Sequence, residues 1–191
     1  MRRRFAVWVL CGAAAVLAGC ASAPPARHLP ATSAGIDAFS LAGRVAFRID
    51  DRGDKAGLSW RHREERDSLR LLSPLGSVVG EIEADASGAV LTTSDKKVHR
   101  APDVQSLTRE ALGWDLPLSG LRYWVVGRPD PAVPVQAEAR DDRQRLVSLE
   151  QDGWRVTYLG YFGDSALPAR MNLDYGRLQL RLIVERWDLP P

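Results

Sequence analysis

Cysteine is almost missing from this 191-residue chain: only Cys11 and Cys20 occur. Both sit in the N-terminal stretch that carries no strand or helix periodicity. Arg2-Arg3-Arg4 followed by an uncharged apolar run from Phe5 to Leu17 has the layout of a secretory signal. The run is too short to span a bilayer comfortably. Leu17-Ala18-Gly19-Cys20 follows at once and matches the end of a bacterial lipoprotein signal, where cleavage precedes the cysteine and its thiol is lipidated. Cleavage there removes Cys11 and leaves Cys20 as the one mature cysteine. That excludes an intramolecular disulfide and a cysteine-rich metal site.

An excess of positive charge is missing as well. The whole chain carries 26 Lys and Arg against 24 Asp and Glu, but Arg2, Arg3 and Arg4 leave with the signal. The near-neutral remainder has no electrostatic basis for binding nucleic acid. Catalytic signatures are absent too. No Gly-x-Ser-x-Gly elbow, His-Glu-x-x-His helix, P-loop or Gly-x-Gly-x-x-Gly run occurs. Of three histidines, His28 lies before the strands, and His62 and His99 fall near strand ends or in polar surroundings, where solvated side chains are expected. The carboxylate pairs Glu64-Glu65 and Asp141-Asp142 lie in arginine-rich runs that read as charged loops. These absences argue against an enzyme, a metal site or a cofactor.

What is present divides the chain into three parts. Residues 1–19 read as the lipoprotein signal. Residues 20–38 read as the lipidated N-terminus and a flexible tether, because "ASAPPARHLPATSAG" is rich in Ala, Pro and Ser. Residues 39–191 read as the folded domain. In enteric lipoproteins Asp after the lipidated cysteine favours inner-membrane retention, so Ala21 points to the outer membrane.

From Phe39 onward apolar residues alternate with period two, the signature of half-buried strands. Val45, Phe47 and Ile49 alternate with Arg44, Ala46 and Arg48; Leu58 and Trp60 with Ser59 and Arg61. Leu178, Leu180, Leu182 and Val184 repeat the pattern near the C-terminus. Asp152-Gly153 marks a tight hairpin, and Tyr175-Gly176 a second turn. With weaker runs at 78–84, 88–93, 97–99 and 135–139, about eleven short strands result. Two helices interrupt them. Asp103 to Gly113 carries start and stop signals and an apolar face of Val104, Leu107, Ala111 and Leu112. Leu118 to Val126 follows Pro117, with Leu118, Leu121, Trp124 and Val125 on one face and Gly127 as its cap. Strands, two helices, then strands predict a strongly curved antiparallel sheet with the helices on its concave face or across its open end.

One stretch runs against ordinary turn chemistry. "LLSPLGSVV", residues 71–79, places Leu75 at the tip of a tight turn, where polar residues are the rule. Read from the residues alone, Leu75 folds back onto its own hairpin. The interior is equally open: five mature tryptophans and the strand leucines build either a solid core or a ligand cavity.

The ordered set "RLLSPLGS" (70–77), "LGWDLPLSGLRYWVVGRP" (112–129), "QDGWRVTYLGY" (151–161) and "LQLRLIVERW" (178–187), behind a signal ending at Cys20, resembles the outer-membrane lipoprotein receptor family LolB. The proline-rich loop at 129–134 departs from that pattern. The resemblance implies a mainly β fold with two or three short helices. It would be an incomplete antiparallel β-barrel of about eleven strands, with a helical lid over an apolar cavity. It implies a monomer lipid-anchored to the outer membrane and facing the periplasm. Its partners would be the periplasmic carrier LolA, client lipoproteins bound by their acyl chains, and outer-membrane lipids. Combined with strand and helix parity, it gives a cavity lined by Val45, Phe47, Leu58, Trp60, Leu69, Leu71, Ile82, Leu107, Leu121, Trp124 and Val125. It assigns Pro74, Leu75 and Gly76 to membrane delivery, which reverses the fold-back reading of Leu75. A lipid-binding envelope lipoprotein without a sorting role, and a structural one with a solid core, are the competing readings.

Overall fold

The period-two pattern becomes a run of strands in the computed structural model, which describes residues 29–190. In chain order the first six are β1 (Phe39–Ile49), β2 (Arg52–Arg63), β3 (Arg66–Leu72), β4 (Val78–Asp85), β5 (Gly88–Thr93) and β6 (Val98–Ala101). Two helices follow, α1 (Val104–Leu112) and α2 (Leu118–Trp124). The chain then returns to strands: β7 (Val135–Arg140), β8 (Leu146–Gln151), β9 (Trp154–Tyr161), β10 (Pro168–Tyr175) and β11 (Leu178–Asp188).

All eleven strands form one antiparallel sheet, ordered β6-β5-β4-β3-β2-β1-β11-β10-β9-β8-β7. The edges β6 and β7 do not pair, so the sheet is an open, incomplete barrel. β1 sits at its centre because it pairs with β2 on one side and β11 on the other. A register shift at Ala42/Gly43 bends β1 against β11. Gly43 is needed there: a Cβ would lie 2.1 Å from the Ile183 carbonyl oxygen.

Cross-strand register carries one set of side chains to the concave face. Leu41 opposes Trp60, Gly43 opposes Leu58, and Trp60 opposes Leu69, which in turn opposes Ile82. On the other side of β1, Val45 opposes Leu182, Leu182 opposes Met171, and Met171 opposes Tyr158. Phe39 anchors the group, edge-on to Trp60 at 5.0 Å and to Trp187 at 5.6 Å between ring centroids.

The helices lie on this concave face, α1 against β5 and β6. Asp103 caps α1, its carboxylate accepting from the Ser106 amide at 2.7 Å. On the expected apolar face of α1, Val104 and Leu107 are buried while Ala111 is exposed. α2 ends at Trp124, two residues short of the expected Val126. Gly127 (φ 78°) then closes a Schellman turn, with its amide bonded to the Trp124 carbonyl and the Arg128 amide to that of Tyr123. Trp124, Leu107, Val125 and Val126 are at most 1 % exposed, so the interior between sheet and helices is filled by side chains.

Residues 29–38 differ from the expected free tether. Leu29 and Ile36 pack against the core. The Pro30 carbonyl accepts from the Ala166 amide (2.9 Å) and the Ser165 hydroxyl (2.8 Å). The Ile36 carbonyl accepts from Arg128 at 2.7 Å. This segment is therefore a strap held on the domain. The expected signal (1–19), Cys20 and the rest of the tether lie outside the described residues.

Candidate functional site

Leu75 is the most exposed large apolar side chain among the described residues, at 94 %. Its turn is well made: the Gly76 amide donates to the Ser73 carbonyl (2.9 Å) and the Ser73 amide to that of Ser77 (2.8 Å). The Ser77 amide also reaches the Ser73 hydroxyl at 3.2 Å. Pro74 presets the backbone and Gly76 (φ 83°) takes the left-handed position of a three-residue hairpin connection. Leu75 is thus held outward on a rigid tip and does not fold back. Val78 and Val79, beside it on β4, are exposed by 46 % and 41 %. No residue from Leu71 to Gly80 carries a charge.

The residues expected to line a cavity all lie within one apolar cluster. Leu58, Trp60, Leu69, Ile82, Leu107, Leu121, Trp124 and Val125 are buried in it; Val45, Phe47 and Leu71 are half-buried against it. The last three mark its accessible margin, where the Phe47 ring lies 6.0 Å from that of Trp114.

Two polar constellations tie this interior together, and the sequence reading missed both. His62 is buried, not solvated as expected: its Nδ1 lies 2.9 Å from Asp67 Oδ1. The same oxygen accepts from the Trp60 indole at 2.7 Å. The reason is register. His62 shares the inward parity of Leu58 and Trp60 and faces Asp67 directly across β2–β3. Its partner was visible in the sequence only at a cross-strand position. Glu65, in the turn between them, pairs with Arg122 of α2, while His99 is exposed as expected.

Gln151, fully buried, is the second hub. Its Oε1 accepts from the Trp124 indole and the Asp130 amide, each at 2.9 Å. Its Nε2 donates to the carbonyls of Asp130 (2.8 Å) and Val133 (2.6 Å). The proline-rich 129–134 loop is thereby fastened to β8. The signal was a Gln in inward register with Leu149. Nearby, Tyr158 donates to the Trp124 carbonyl at 2.9 Å and Tyr161 to that of Leu146 at 2.5 Å. Burial pushes both phenols above the ordinary tyrosine range.

Among the described residues no group of three or more His, Cys, Asp or Glu could hold a metal ion. No helix among them is long and apolar enough to cross a membrane.

An open antiparallel sheet curled over two helices is a fold shared with solved structures of very different sequence. A LolA superfamily protein from Nitrosomonas europaea superposes with a TM-score of 0.53 at 8 % identity, over 82 % of this chain and 88 % of that one. A DUF1329 family protein from Desulfovibrio piger gives 0.50 at 6 % identity, over 82 % and 87 %. Sequence narrows the class further. The family model "Outer membrane lipoprotein LolB" matches residues 37–187. The outer-membrane lipoprotein LolB of Thiobacillus denitrificans is 37 % identical over 99 % of this chain and 100 % of its own length. That of Nitrosomonas europaea is 35 % identical over 94 % and 91 %. The chain belongs to the LolB family of outer-membrane lipoproteins, and it is not an enzyme.

Proposed function

We propose that this protein takes lipoproteins from the periplasmic carrier LolA, shelters their acyl chains between sheet and helices, and releases them into the outer membrane. The observation that carries the reading is the separation of two apolar features on one scaffold. A contiguous interior lies beneath two short helices, and a single leucine stands exposed on a rigid turn outside it.

The physics of the task fits both. Each methylene of an acyl chain contributes about 0.8 kcal/mol to burial, so a lipoprotein anchor cannot cross water unprotected. Non-directional apolar contact suits a receptor whose clients share only their lipid. The filled interior implies that acyl chains enter by displacing side chains at the half-buried margin of Val45, Phe47 and Leu71 or by parting the helices from the sheet. Transfer then runs downhill in affinity, since no nucleotide-binding motif supplies energy. Cys20, lipidated, would hold the protein on the periplasmic face of the outer membrane.

The test is reconstitution: labelled lipoprotein on the carrier, this protein, and liposomes. Label should pass to the protein and then to the vesicles. A protein that binds an apolar fluorescent probe yet takes no lipoprotein would be a lipid-binding lipoprotein outside sorting. One that binds neither would have a purely structural core.

A further inference from the structure

A membrane that meets the barrel end-on reaches the β1–β2 hairpin before Leu75. β3 ends at Leu72, opposite Gly57, whereas β2 begins at Arg52. The β1–β2 hairpin therefore runs five residues past the end of β3, and since Pro74 lies beside Lys55 and Ala56, its Asp50–Asp51 end still projects beyond the Leu75 turn. It terminates in Asp50 and Asp51, with Arg177 of the β10–β11 turn paired to Asp50 at 2.9 Å, so a bilayer approaching along the barrel axis would meet charged side chains first. The apolar tip is set back behind that charged end, on the flank that carries Pro74.

That flank carries a groove of about 280 Å³ between the turn and the convex face of β1, β2 and β11. Pro74 forms one wall, and Ala46, Gly57 and Ile183 contribute to an apolar floor. Arg44, Lys55 and Arg181 surround it, and no carboxylate lines it among the described residues. Arg44 is balanced by Glu185 at 2.7 Å. Among the described residues the Arg181 guanidinium donates to the neutral Asn172 amide oxygen at 3.1 Å, and the Lys55 ammonium has no acidic partner. Asp54 and Asp174 lie in the adjoining groove, which shares Ala46, Lys55 and Arg181 with this one.

Cations around an apolar floor, next to an apolar tip, complement the phosphate and upper acyl region of a phospholipid. We propose that this groove seats the headgroup of an anionic phospholipid and lays the convex flank on the membrane, so that Leu75 enters among the acyl chains. The inference rests on the delivery role proposed above for Leu75, and it adds the orientation and the lipid that delivery requires.

The experiment uses the mature chain with Cys20→Ala, which keeps every described residue, and vesicles of phosphatidylethanolamine with or without phosphatidylglycerol. The protein should bind the phosphatidylglycerol vesicles more tightly, and added salt should erode the difference. A basic residue near an anionic surface is worth about fivefold in affinity, so Lys55→Gln with Arg181→Gln should weaken that binding roughly 25-fold. Both side chains are exposed, so circular dichroism and melting should not change. Equal binding by wild type and the double variant, or indifference of the wild type to phosphatidylglycerol, overturns the proposal. So does a double variant that binds vesicles normally but no longer takes cargo from the carrier, which would make the groove a protein-docking surface. Failure of the wild type to deliver cargo to either vesicle, with charge-dependent binding intact, would instead defeat the transfer reading alone.

Discussion

The Trp124 indole donates to Gln151 Oε1 over 2.9 Å, joining the last turn of α2 to the end of β8. Trp124 is 1 % exposed and Gln151 fully buried, so neither group has water as an alternative partner. The same amide holds the backbone of Asp130 and Val133. One side chain thus fixes a helix and the loop that follows it on the concave face.

Gln151→Leu should therefore destabilise the fold by more than about 3 kcal/mol, because each buried group left unpaired costs about 1–3 kcal/mol. Trp124→Phe removes one donor and should cost less, though it also leaves Gln151 with a free valence. Urea unfolding of both variants checks the order. A Gln151→Leu midpoint close to wild type would show that the loop finds other partners.

Phe47 tests the interior without striking its buried centre. It is half-buried at the margin of the core, so Phe47→Asp should fold while placing a carboxylate where acyl chains enter. An unpaired carboxylate in an apolar seat is costly, and lipoprotein uptake from the carrier should fall at least about tenfold. Circular dichroism controls for folding, and unchanged uptake would remove Phe47 from the path.

For Leu75 the expected result is a dissociation. At 94 % exposure, Leu75→Glu should shift stability by no more than about 0.5 kcal/mol. Uptake should survive, because the interior is untouched. Delivery should stall, since a charged tip opposes entry among acyl chains. Normal release into liposomes would leave the tip without a role.

Arg128 holds the strap at the Ile36 carbonyl and the Asp37 carboxylate, the latter at 3.1 Å. Its guanidinium also lies 5.7 Å over the Tyr123 ring. Arg128→Ala should release residues 29–38 at a cost of about 1.5–3 kcal/mol, the range for hydrogen bonds to charged groups. Limited proteolysis should cut the strap faster in the variant. Equal cleavage would mean that Leu29, Ile36 and the Pro30 carbonyl suffice to hold it.

Alkaline pH should unfold the protein partly through Tyr158 and Tyr161. Burial raises both phenols, so the unfolded chain ionises first. Their stabilising contribution is complete below the ordinary tyrosine pKa of about 10 and is lost as pH rises above it. Stability measured through that window should fall less steeply in the Tyr158→Phe, Tyr161→Phe double variant. An identical slope would assign the alkaline loss to other groups.

Most of the β architecture was legible because alternation and turn chemistry are local. Leu178 to Val184 could be read as a strand with one inward face from spacing alone, and Asp152-Gly153 as its own hairpin signal. Asp103, Gly113 and Gly127 delimited the helices for the same reason. Polar residues resisted that treatment. His62 and Gln151 both occupy inward positions, but their burial depends on partners supplied by other elements, Asp67 in one case and α2 with the 130–133 loop in the other. The strap resisted sequence analysis because "ASAPPARHLPATSAG" has the composition of a linker, while the Pro30 and Ile36 carbonyls find donors, and Leu29 and Ile36 find apolar sites, only on the folded barrel.

The sequence by itself determined the strand and helix content, the rigid Pro74-Leu75-Gly76 turn and the parity that sends leucines and tryptophans to one face. Those properties follow from backbone preference and from period two along a single segment. Only the tertiary structure decided that Leu75 stands outward and that the β1–β2 hairpin overshoots it. It alone also set Arg44, Lys55 and Arg181 around one groove, because these facts depend on the register between strands distant in the chain.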